Sequence, residues 1–226
     1  MNNYTGKKAD RSEEIAFLVT EAVLGVRIEL ADANGTNGSV DGRWRQGDHV
    51  GIIEVTGPPA EVEMRDYAIA SRRGEPYMEV GSGDAHLGTL AEYLSAQLEE
   101  PWAVANIDKL RRTEADERHL YLIGRTFQVQ EYYARLSDTY TGGPIENINR
   151  LAIPDEITAI WYPGRATRGA TRDSPTIQWI ARFDRSAGWS THKVEIDERS
   201  LPAPPFGKDR APAGWRKAQR DRTSRG

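Results

Sequence analysis

Residues 12–26 carry apolar side chains at Ile15, Leu18, Val19, Ala22, Val23 and Val26. This is the i, i+3, i+4, i+7 spacing of a helix with one buried face. Ser12 stands where an N-cap belongs, and Glu13 and Glu14 suit the positive end of the helix. The period then shortens to two. Segments 26–30, 40–45 and 50–56 are short β-rich runs, separated by an Asn-Gly loop at 34–38 and a Gln46-Gly47-Asp48 turn, and they predict three strands. In the third, Ile52, Glu54 and Thr56 share one face, and Ile53 and Val55 the other. Pro58-Pro59 stops that strand. Segments 60–73 and 87–98 read as helices, 102–107 and 119–124 as strands, and 127–138 as a helix. Segments 157–162, 176–183 and 189–196 read as a late set of strands. The order predicts an α+β, mixed α/β domain with a single central mixed sheet flanked by helices.

Length and charge refine this picture. A chain of 226 residues suits one domain plus tails. The reading is a flexible tail over 1–11, one domain over 12–201 and a basic, Pro-rich disordered tail over 202–226. That last segment holds seven basic residues against two acidic ones, a net +5. Since the whole chain is −4, residues 1–201 carry −9. The tail reads either as an arm for nucleic-acid phosphates or as a solubilising extension. The acidic body disfavours a broad nonspecific DNA-binding surface and leaves room for a local basic groove. The absence of cysteine removes disulfides, thiolate zinc sites and cysteine nucleophiles together. With no apolar run of about 18 residues and no charged-then-apolar leader, the expectation is a cytoplasmic protein with no membrane partner.

Most familiar chemistry is missing. There is no G-x-x-x-x-G-K-[ST] phosphate loop and no G-x-S-x-G elbow. The histidines at 49, 86, 119 and 192 are far apart and form no metal-binding pair, so each reads as structural or solvent-exposed. The candidate is acidic. Asp41 opens the second strand, and Glu54 lies thirteen residues on, between isoleucines of the third strand and Thr56. A carboxylate there is costly without a partner. Two carboxylates on neighbouring strands suit Mg²⁺ or Mn²⁺, which take oxygen ligands and keep waters for a phosphate substrate. Glu14 or Glu21 of the first helix offers a third. Each also has a plainer reading: Asp41 as a turn-closing Asp-Gly, Glu54 as a buried glutamate met by an Arg or a backbone amide, and Glu21 as a surface residue.

The order helix–strand–strand–strand–helix–strand, with Asp41 on the second strand and Glu54-Val55-Thr56 on the third, resembles the core of the PD-(D/E)XK nuclease superfamily over residues 12–124, with additional strands over 125–201. The segments IIEVT (52–56), NIDKL (106–110), RHLYLIG (118–124) and TAIWYPG (158–164) are also similar to uncharacterised actinobacterial and actinophage proteins. The superfamily resemblance implies a restriction-endonuclease-like core and a catalytic, metal-holding Asp41–Glu54 pair; Glu21 of the first helix is the expected third metal ligand. Two positions depart from the pattern: Thr56 replaces the signature lysine and Val40 the proline before the aspartate. Lys109, read as coming from the next strand, is the candidate replacement for that charge; its plainer reading is a solvated lysine after Asp108. The implied function is a divergent metal-dependent nuclease acting on phosphodiesters. The alternative is an inactive nuclease-fold module that binds nucleic acid or a protein partner, in a setting such as phage–host conflict.

Overall fold

A computed structural model describes residues 11–31, 39–73, 89–137, 150–168, 175–197 and 201. The Asn-Gly loop at 34–38, the N-terminal residues 1–10 and the basic tail at 202–226 lie outside the described residues.

Among the described residues, seven strands form one sheet in sequence order. β1 (Glu29–Leu30), β2 (Gly42–Gln46) and β3 (His49–Thr56) form an antiparallel meander. β3 then pairs in parallel with β4 (Glu117–Leu122), and β4 in parallel with β5 (Ala159–Arg168). β6 (Thr176–Asp184) and β7 (Gly188–Ile196) close the sheet as antiparallel strands. Parallel neighbours need a crossover, so helices occupy those two connections. α2 (Glu61–Arg73), α3 (Leu90–Glu99) and α4 (Pro101–Arg112) join β3 to β4, and α5 (Phe127–Leu136) joins β4 to β5. α1 (Arg11–Leu24) precedes the sheet. The architecture is a mixed α/β fold with a central mixed sheet flanked by helices.

The alternation read from the sequence sorts the core into two layers. Ile52, Leu120, Leu122, Ile160 and Tyr162 face α3, α4 and α5, packing on Leu94, Leu98, Ile107, Leu110 and Tyr133. Ile53, Tyr121, Trp161, Ile180 and Val194 face the other way and pack with Ala16, Phe17 and Val19 of α1. Successive side chains on a strand point to opposite faces, so Glu54 and Thr56 share the Ile52 face.

Several boundaries move. α1 stops at Leu24 because Gly25 takes φ +67° and its N–H donates to the Glu21 carbonyl at 2.9 Å, an αL helix terminus. Ser12 lies within the first turn rather than before it. The larger correction is segment 102–107, expected as a strand and found inside α4. Pro101 occupies the first helical position, where its missing N–H costs nothing. Ala103, Ile107 and Leu110 then fall on one buried helical stripe. The alternation in WAVANI is local; the helix period emerges only when the window extends to residue 110.

Candidate site at the carboxyl end of β3

Glu54 is 2% exposed, in an interior strand of the sheet. A carboxylate there requires compensation, since an isolated buried charge costs several kcal/mol or more. The compensation comes from α4. Lys109, whose side chain is 33% exposed, places its Nζ on Glu54 Oε1 in a direct ion pair. One turn earlier on the same helix, Asn106 Nδ2 donates to Thr56 Oγ1 at 2.8 Å and to the Trp102 carbonyl at 2.7 Å. Residues i and i+3 of a helix face the same way, as do residues j and j+2 of a strand. Asn106 and Lys109 therefore meet Thr56 and Glu54 as two rungs between α4 and β3.

Asp41 stands just before β2. Gly42 pairs with Ile53, and the next step of the same register sets Asp41 opposite Glu54. Asp41 Oδ2 accepts the Val55 N–H at 2.9 Å, and its carbonyl accepts the Ala31 N–H at 3.0 Å. The carboxylate thus ties the end of β2 to β3, while the carbonyl holds β1. Glu21 does not join them. Its Oε1 accepts the Ile28 N–H at 2.7 Å and fastens α1 to the chain entering β1, on the Ile53 side of the sheet. Glu14 is buried on the same helix.

The structure thus brings together Asp41, Glu54 and Lys109, and leaves Glu21 across the sheet. Lys109 arrives from a helix, not from the strand expected for it. One oxygen of Glu54 is held by an ammonium and one of Asp41 by a backbone amide. Among the described residues, no three His, Asp or Glu side chains converge as an ion site would require. The donor set as arranged is a charge-paired strand–helix joint that leaves one ammonium part-exposed.

A second polar cluster lies on the opposite face, which the sequence reading gave to solitary histidines. His119 is 1% exposed, between the rings of Trp44 at 4.9 Å and Trp161 at 5.8 Å. Trp161 Nε1–H donates to His119 Nδ1 at 3.3 Å. An indole nitrogen can only donate, so the His119 proton sits on Nε2, which meets Glu117 Oε2 at 3.2 Å. His49 Nε2 lies 3.0 Å from the other Glu117 oxygen. With Nε2 protonated, His119 is a donor to the carboxylate and not a metal ligand. Burial pushes the His119 pKa below its ordinary value despite the nearby carboxylate. Glu117 is lowered to about 2, chiefly by the His119 hydrogen bond. Beside them, the Arg182 guanidinium lies 5.0 Å over the Trp161 ring and pairs with Asp184. The signal available in the sequence is Glu117-x-His119, two polar groups at alternate positions and so on one face of the strand.

The chain matches no protein-family model, no curated protein and no solved structure. Among the described residues, no helix is long and apolar enough to cross a membrane.

Proposed function

We propose that this protein is a non-catalytic module on a restriction-endonuclease-like core, binding nucleic acid or a protein partner. The observation that carries this reading is the ion pair between Glu54 and Lys109. In a metal-dependent nuclease the carboxylates are ligands and the lysine stabilises the developing phosphate charge. Here Lys109 lies on the carboxylate that would hold the ion, and Asp41 is used to hold β2 against β3. The strand order and the succession of a helix, three strands, helices and a strand support the nuclease-like core. Thr56 at the signature lysine, bonded to Asn106, supports loss of catalysis.

One observation favours the second reading, a divergent nuclease that uses Mg²⁺ or Mn²⁺. Lys109 brings an ammonium from α4 to the carboxylate of β3, two residues from the position of the missing lysine. When bound, such an ion would activate water and neutralise phosphate charge; Asp41 and Glu54 would hold it, and Lys109 would have to leave Glu54.

The test combines calorimetric titration of Mn²⁺ with plasmid and single-strand cleavage, using wild type and Glu54→Ala. Anisotropy with labelled duplex DNA, single-stranded DNA and RNA follows at two salt concentrations. The proposed module gives no Glu54-dependent cleavage. Salt-sensitive anisotropy without cleavage supports nucleic acid as its partner; detecting no nucleic-acid binding, no protein partner and no cleavage leaves the module without support. Metal-dependent cleavage that disappears in Glu54→Ala overturns the module and establishes the nuclease.

A further inference from the structure

The two edges of the sheet are built differently. β1 is only two residues long, and β2 beside it carries Arg43 and Arg45, a short and charged margin that resists added strands. β7 at the other edge has nine residues, GWSTHKVEI, with no proline. It pairs with β6 at every position from Gly188 to Ile196 without a bulge, so it is regular along its whole length. Among the described residues, no strand lies on its outer side. A regular edge strand turns alternate N–H and C=O groups outward, the row that accepts another strand.

The side chains then select which strand fits. Successive residues of β7 point to opposite faces. Val194 and Ile196 are buried on the α1 side of the sheet, and Lys193 and Glu195 are exposed on the other face. Opposite charges two residues apart on one face make an antiparallel edge complementary to itself. With a two-fold axis through Val194, Lys193 of each copy stands opposite Glu195 of the other, so two opposite-charge pairs form at once. Moving the axis to Lys193 or to Glu195 sets like charges directly opposite, which is destabilising. Moving it to His192 places Lys193 opposite Thr191 and Glu195 opposite Trp189, and both charge pairs are lost. Lys193 lies over the Trp179 ring at 5.7 Å, a weak contact at an exposed site that keeps the lysine on this face and yields readily to a carboxylate.

We propose that β7 is a homodimerisation edge, to which a second copy of this chain adds its own β7 antiparallel, with Lys193 of each copy paired to Glu195 of the other. His192 to Ile196 of each copy take part. This contact is small beside the standard interface of about 1,600 Å², and interfaces of that standard size span micromolar to picomolar affinity, so the dimer belongs at the weak end. The proposal uses neither Glu54 nor Lys109 and does not rest on the nucleic-acid or partner reading.

The test is sedimentation velocity of the full chain up to its highest soluble concentration. It compares wild type, Lys193→Glu, Glu195→Lys, the double variant carrying both changes, and an equimolar mixture of the two single variants. Both positions are exposed, and circular dichroism verifies that each variant keeps the fold. Wild type is expected to show a concentration-dependent monomer–dimer equilibrium. Each single reversal sets like charges opposite at two places and should weaken the dimer about tenfold or more. The double variant should regain wild-type affinity, because the charges are only exchanged. The mixture should form a heterodimer in which every 193–195 pair is again opposite in sign. A wild type that stays monomeric overturns the proposal and leaves the edge to a strand of a different protein. Dimers that withstand both single reversals, or that the mixture fails to restore, also overturn it and place the contact elsewhere on the molecule.

Discussion

Glu54 and Lys109 show how one residue's cost becomes another's role. Removing one partner of a buried ion pair leaves an uncompensated charge, a loss of about 3–5 kcal/mol when both partners are fully buried. Lys109 is a third exposed and water can partly reach it, so the loss belongs below that range. Lys109→Ala is therefore expected to lower stability by about 2 kcal/mol, and Glu54→Gln by less, because the amide keeps a polar contact. Urea denaturation of both variants checks the order; equal, negligible losses would mean the pair carries no structural weight. Gly51 gives a sterically defined case. A Cβ added there would lie 2.0 Å from the Trp44 indole, whose ring fills that space. Gly51→Ala must displace Trp44 from beside His119, and a loss of about 1–3 kcal/mol follows from overpacking alone. Gly25→Ala meets no neighbour within 4 Å, so its loss comes from the positive φ only, about 1 kcal/mol. Thermal melts of the two alanine variants should rank Gly51→Ala as the more damaging.

At the level of elements, α4 is where the sequence reading and the structure part company. Glu54 stands out because a charge in an apolar strand beside Ile52 and Ile53 needs a partner, which follows from strand periodicity alone. The identity of that partner is not local: Lys109 lies 55 positions along the chain, on a helix whose first residues alternate like a strand. Segment 102–107 alternates closely enough to pass for a strand, while the helical stripe of Ala103, Ile107 and Leu110 needs eight residues to show itself. Segments 157–162, 176–183 and 189–196, read as strands from the sequence, are β5, β6 and β7. The turn between β6 and β7 has Asp184 Oδ1 accepting the N–H groups of Ser186 at 2.9 Å and Ala187 at 3.0 Å, followed by Gly188 at φ +80°. Such local chemistry is complete within five residues. Asp184→Ala should therefore loosen this hairpin, with faster amide exchange at Ser186 and Ala187 and little change in α4. Protection retained at both amides would show the carboxylate to be dispensable.

For the whole molecule, the His49–Glu117–His119 cluster ties stability to pH. His119 has a folded pKa below its unfolded value near 6.5. As pH falls through 6.5 the unfolded chain gains a proton that the folded one does not, and stability declines. Glu117 acts in the same sense: with a folded pKa of about 2, its contribution is complete above 4.5 and disappears as pH falls toward 2. Urea midpoints should therefore fall steadily from pH 7 to pH 4. The upper part of that slope should flatten in His119→Gln, which cannot titrate. A wild-type midpoint that is level from pH 7 to pH 5 would mean His119 protonates as easily in the folded protein as in the unfolded chain.

The sequence by itself determined the alternation of faces along β3, the helices before β1 and after β3 and the anomaly of Glu54, because each follows from periodicities within about fifteen residues. It also placed Asp41 and Glu54 on adjacent strands, since a two-residue turn at Gly47-Asp48 fixes the β2–β3 register. Tertiary structure alone decided the rest. Parallel pairing of β3 with β4 spans about sixty residues, so no local signal announces that α4 will cross Glu54. Likewise, the cage of Trp44 and Trp161 around His119 joins three strands. Periodicity tells which face of a strand a side chain occupies; what stands opposite that face is set by chain connections too distant for periodicity to carry.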